Sequence, residues 1–63
     1  MKGFELQIIR RRAHIQQGAL AERLDIHRTL LSHIETEQAG FPDDNFPVRY
    51  IAAVDAISKE QVA

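Results

Sequence analysis

Apolar residues recur along this chain at helical spacing, and no stretch of useful length shows the strict alternation of a strand. Leu6, Ile9, Arg10 and Ala13 stand at i, i+3, i+4 and i+7, with Ile8 beside them, and predict a first helix from about Phe4 to Ala13. Leu20, Ala21 and Leu24 share one face of a second helix from about Gln17 to Leu24, and Asp25 breaks the pattern. Ile26 is then a lone apolar residue, placed as a buried turn residue would be. A third helix from about Arg28 to Glu35 turns Leu31 and Ile34 inward, with Leu30 alongside. Gly40, Pro42, Asp43, Asp44, Asn45 and Pro47 mark a loop from Thr36 to Pro47. A fourth helix is predicted from about Pro47 to Ile57, with Val48, Ile51, Val54 and Ile57 recurring every third residue and Pro47 suited to its first turn. Ser58-Lys59-Glu60-Gln61 has the spacing of a capping box, which allows one further short helical turn. The reading is an all-α chain of four to five helices, with residues 1–63 forming one compact domain.

The three-residue connection between the second and third helices constrains their geometry. Two helices so joined cross steeply, and their backbones approach near the crossing. Ala21 supplies the small residue needed there, Ile26 pins the turn, and Leu31 and Ile34 anchor only the inner face of the third helix. The outer face is left free to enter a DNA major groove, where each base pair displays its own donors and acceptors.

Composition narrows the class. With 63 residues, a chain buries only about 60% of the surface it exposes unfolded, so a partner subunit would help its stability. No cysteine is present, so neither a disulfide nor a thiolate metal site is available. A hydrophobic fraction of 44% argues against disorder. No apolar run approaches the roughly 20 residues of a membrane helix, and the N-terminal stretch turns charged by Arg10, unlike a signal peptide. A cytoplasmic protein with no membrane association is expected. The net charge of −1 is unusual for a nucleic-acid binder, but its distribution is not. Residues 1–34 carry six Lys or Arg against three acids, residues 35–63 two against six, and all three His lie in the first half. A basic front and an acidic back suit a protein that presents one face to phosphates.

The run from Gln17 to Glu35, QGALAERLDIHRTLLSHIE, preceded by Ile15-Gln16 and the earlier Arg10, resembles the Cro and phage-repressor family of helix-turn-helix regulators. The resemblance covers residues 4–36 well and the remainder loosely. It implies a lambda-repressor-like DNA-binding domain that works as a homodimer on double-stranded DNA. By position, Arg28, Thr29, Ser32 and His33 match the outward, base-reading residues of the recognition helix. Gln17 matches a phosphate ligand, Thr36 a polar residue that touches the DNA backbone, and Gln16 and His27 are placed with them as phosphate contacts. Arg10 and Glu35 match positions that form a buried or half-buried ion pair joining the first and third helices. The chemistry of these residues agrees: Gln17 opens a helix whose N–H groups favour a phosphate, and Arg28 can pair with guanine O6 and N7. The sequence also departs from the family. Asp25 stands where Gly is usual, His27 where a Ser or Thr caps the recognition helix, Leu30 where a small polar residue is usual, and Glu37 where a Gly ends that helix.

Other chemistries find less support. His27 and His33 are six apart and do not share a helix face, so no metal site is expected, and no cofactor. Asp43-Asp44-Asn45 lacks the spacing and closing Glu of a calcium loop. No nucleophile, base and orienting group assemble by spacing, so the chain is not expected to be an enzyme. Arg10-Arg11-Arg12 reads equally as a solvated face with one buried partner or as direct phosphate contact. The expected function is sequence-specific transcriptional regulation, repressor-like in kind. The alternative is a protein-interaction module of the same helices, antitoxin- or antirepressor-like, with the acidic residues 35–63 as its contact surface. Phe41, Phe46, Val48 and Tyr50 are candidates for a dimer interface, or for closing the intramolecular core.

Overall fold

The computed structural model describes residues 1–62. Four helices carry the regular structure: α1 (Gly3–Arg12), α2 (Gln17–Leu24), α3 (Arg28–Glu35) and α4 (Phe46–Val62). No strand occurs among the described residues. Helix α1 packs on α3 and α4, and α2 packs on α3 and α4, so the core lies where all four meet. Leu6 of α1, Leu20, Ala21 and Leu24 of α2, and Leu31 and Ile34 of α3 fill it from one side. Phe46, Tyr50, Ala53, Val54 and Ile57 of α4 close it from the other.

The first three helices end in the same way. After α1, the N–H of Ile15 bonds the carbonyl of Arg10 and that of His14 bonds Arg11. After α2, Ile26 bonds Ala21 and Asp25 bonds Glu22. After α3, Gln38 bonds His33 and Glu37 bonds Ile34. Each is a Schellman turn, which places one residue in the left-handed backbone region. Those residues are His14 (φ 59°), Asp25 (φ 59°) and Glu37 (φ 63°), and none is glycine. At the first two turns an isoleucine follows and packs inward, Ile15 fully and Ile26 in part. This hydrophobic stop fixes the path between helices.

Helix α4 differs from its sequence reading in length and face. It runs unbroken from Phe46 to Val62, so the capping-box spacing at Ser58 starts no new turn. Nothing before Ser58 breaks the helix, and Asp55 and Lys59 pair across it at 3.0 Å. The buried stripe begins at Phe46 and follows i, i+4, i+7, i+8 and i+11, while Val48 (68% exposed) and Ile51 lie on the solvent side. Phe46 and Tyr50 are fully buried and Phe41 stacks on Phe46 at 5.6 Å between ring centres, so these aromatics complete the core. Of the four candidates for a dimer interface, Val48 alone is exposed. No described helix is long and apolar enough to cross a membrane.

Candidate nucleic-acid interface

The site is built on α2, α3 and the turn between them. Asp25 adopts the left-handed conformation (φ 59°, ψ 43°) that ends α2, and Asp tolerates it better than most residues. His27 follows in extended conformation and caps α3: its Nδ1 accepts the N–H of Thr29 at 3.1 Å. Histidine is not a favoured cap, yet a neutral ring acting this way carries its proton on Nε2, leaving that N–H as a donor toward solvent. Because α3 buries only Leu31, Ile34 and Glu35, its other residues face outward. Arg28, Thr29 and His33 are exposed, Ser32 is half-buried, and Leu30 is exposed among them. Thr36 is exposed at the helix end, but its hydroxyl donates back to the Ser32 carbonyl at 2.8 Å, so its proton is already engaged.

At the other end of the site, α2 starts at Gln17 with Gln16 extended before it and no side chain capping it. Its first N–H groups therefore lack an intrahelical partner, and the helix dipole adds positive potential there. Arg10, Arg11, Gln16, Gln17, Gly18 and Arg28 line an open groove of about 460 Å3 over this terminus. The stem of Arg28 lies beside Gly18, since a Cβ at Gly18 would stand 4.0 Å from its Cδ. Arg28, expected on the base-reading face, thus also borders the groove at the α2 terminus.

Behind the groove lies a buried polar cluster centred on Glu35, which is fully buried on α3. Arg10 grips the carboxylate with one edge of its guanidinium: Nε donates to Oε2 at 2.8 Å and Nη2 to Oε1 at 2.9 Å. Its Nη1 donates to the Ile15 carbonyl at 2.7 Å. Gln17 donates from Nε2 to Oε1 at 2.9 Å, and the Tyr50 hydroxyl donates to Oε2 at 2.5 Å. Each carboxylate oxygen accepts two hydrogen bonds, and the donors come from α1, α2 and α4. Among the described residues, no buried side-chain N or O lacks a partner. Burial alone would push the Glu35 pKa up, but the hydrogen bonds from Arg10, Gln17 and Tyr50 outweigh it and hold the carboxyl below its ordinary value. Burial likewise opposes the charge on Arg10, and the bonds and charge of Glu35 prevail and raise its pKa. The Tyr50 hydroxyl is pushed well above its usual value, by burial first and then by its bond to a carboxylate.

Two features of this cluster escaped the sequence reading. Tyr50 carried no signal beyond being aromatic, and its role follows from its place on the α4 stripe. By sequence Gln17 is a phosphate ligand alone, yet one of its N–H groups is committed to Glu35. Gly3 was also missed: it is buried, and a Cβ there would overlap the Ile34 carbonyl oxygen, so α1 approaches the α3 backbone directly. Compared with protein-family models, curated proteins and solved structures, the chain matches none.

Proposed function

We propose that this chain is a sequence-specific DNA-binding regulator of helix-turn-helix type, with α3 entering the major groove and the α2 terminus resting on the phosphate backbone. The observation that carries the reading is the division of labour on α2 and α3. Core residues occupy one side only; the other side of α3 carries Arg28, Thr29, Ser32 and His33, and Arg28 borders the uncapped α2 terminus together with Arg11. Arg28, Thr29, Ser32 and His33 are assigned to base edges, and Gln16, Gln17, His27 and Thr36 to phosphates. For Thr36 this requires the hydroxyl to turn away from Ser32. The working unit is a homodimer on a partly palindromic site, with half-sites about one helical turn apart.

The test is selection from random duplex DNA, then affinity of the selected site against salt. A two-fold symmetric site, bound with a steep negative salt slope, supports the reading. Arg28→Ala is expected to cost about 1–3 kcal/mol of binding and relax preference at one base pair. Uniform weakening across sequences would instead move Arg28 to the phosphate set, as its position beside Gly18 allows. The exposed Val48 and Ile51 on α4, with the net charge of −1, favour a second reading as a protein-interaction module. Absence of any enriched site, with only feeble binding at low salt, would select it.

A further inference from the structure

We propose that Glu35 is a positioning residue for Gln17: the buried carboxylate fixes the Gln17 amide as an outward-facing donor for a phosphate oxygen. This rests on the DNA-binding reading above and gives it a mechanism at one contact. A side-chain amide has two distinct ends, one with two N–H donors and one with an acceptor oxygen, and in open surroundings it can present either. Here the neighbour is an anion, and the Gln17 carbonyl turned toward the Glu35 carboxylate would set two acceptors against each other. Only the NH2 end can face inward, as it does at 2.9 Å from Oε1. One N–H is then spent on Glu35. The second diverges from it on the same nitrogen, on a residue that lines the groove with Arg11, Gly18 and Arg28.

The carboxylate is itself immobile, because Arg10 grips both of its oxygens and Tyr50 holds Oε2. The outward donor therefore inherits a fixed direction from α1, α3 and α4 together. A preset donor loses less conformational freedom when its acceptor arrives than a free glutamine side chain would. The role is distinct from holding the fold, which Arg10 and Tyr50 share.

Two measurements test this. The first follows the side-chain NH2 of Gln17 by heteronuclear NMR in the full chain. The free protein is expected to show two well-separated protons, one slow to exchange with solvent. On adding the selected duplex, the exposed proton shifts and the protected one holds. Two equally exposed protons in the free protein, or loss of the protected one on binding, would overturn the proposal. The second is a thermodynamic cycle on affinity for that duplex. Gln17→Met is expected to weaken binding about tenfold in the wild-type chain, the scale of one hydrogen bond to a charged group. In a background where Arg10→Met, Glu35→Met and Tyr50→Phe replace the cluster by apolar groups, leaving no lone buried charge, the same change is expected to fall within about twofold. Equal losses in both backgrounds would overturn the positioning role, even with DNA binding intact. If the apolar background does not fold, the wild-type spectrum still decides. A duplex bound by the wild type and weakened by Arg28→Ala but indifferent to Gln17→Met would remove this contact alone. A wild type that binds no duplex would overturn the DNA reading, and the proposal with it, while the free-protein spectrum still reports whether Glu35 holds the amide.

Discussion

His14, Asp25 and Glu37 all adopt left-handed backbone, and they are unequally suited to it. Asp and His enter this region several-fold more readily than most side chains, whereas Glu gains nothing locally from it. Glycine has no Cβ penalty there and is the usual residue at this position of a Schellman turn. Glu37→Gly is therefore expected to stabilise the chain by about 1 kcal/mol, with smaller gains for His14→Gly and least for Asp25→Gly. Denaturation midpoints of the three variants check both sign and order, and an unchanged midpoint for Glu37→Gly would refute the strain argument. The sequence already marked two of these positions, since Asp25 and Glu37 stand where the resembling family carries glycine. His14 had no such marker, because it reads as the tail of a helix whose apolar spacing runs through Ala13. At this scale the polar contacts were the least legible part. That His27 caps α3 depends on the direction of one ring nitrogen, and that Gln17 reaches Glu35 depends on the packing of α2 against α3. Neither is encoded by local spacing.

The helices themselves divide by how local their signals are. Bounds for α2 and α3 follow from a few apolar residues and a short connection, and the structure places both helices over the same residues. Helix α4 was harder because its apolar residues outnumber those the core can take. A strict i+3 series drifts around a helix of 3.6 residues per turn, so Val48 and Ile51 fall progressively off the face that buries Val54 and Ile57. The stripe that packs begins two residues before Val48, at Phe46. Truncating along the two faces separates them: Phe46→Ala is expected to cost about 3–5 kcal/mol, and Val48→Ala to stay within about 0.5 kcal/mol in the monomer. A large concentration-dependent loss for Val48→Ala would instead locate a self-association surface on α4. The contact between α1 and α3 is set by Gly3, whose missing side chain admits the Ile34 carbonyl. The obstacle there is backbone, which cannot rotate aside as a side chain can. Gly3→Ala is accordingly expected to destabilise by about 1–3 kcal/mol, read from the same midpoints, despite the higher helix propensity of alanine.

For the molecule as a whole, the Glu35 cluster ties all four helices to one charge, and it makes stability depend on pH from both sides. The Glu35 pKa is lowered in the folded chain, so the folded state binds its proton less readily than the unfolded one. The stability this contributes is complete above the unfolded carboxyl pKa, about 4.3, and is lost as pH falls from there through the folded value. The Tyr50 pKa is raised, which has the opposite sense. Its contribution is complete below the unfolded tyrosine pKa of about 10 and is lost as pH rises beyond it, because the unfolded chain releases the phenolic proton first. The chain holds a single Tyr and no Trp, so tyrosinate absorbance reports this one group. Between pH 9 and pH 11, roughly one unit either side of the free tyrosine value, the folded chain is expected to show no tyrosinate, and its denaturation midpoint to decline. Tyr50→Phe removes a hydroxyl bonded to a carboxylate and is expected to cost about 1.5–3 kcal/mol at neutral pH. The same variant has no phenolic proton to release, so its alkaline decline is expected to flatten while its acid limb, set by Glu35 and Arg10, remains. A folded chain that titrates as free tyrosine, or an alkaline limb unchanged in Tyr50→Phe, would detach Tyr50 from the cluster and leave α4 held by apolar contacts alone.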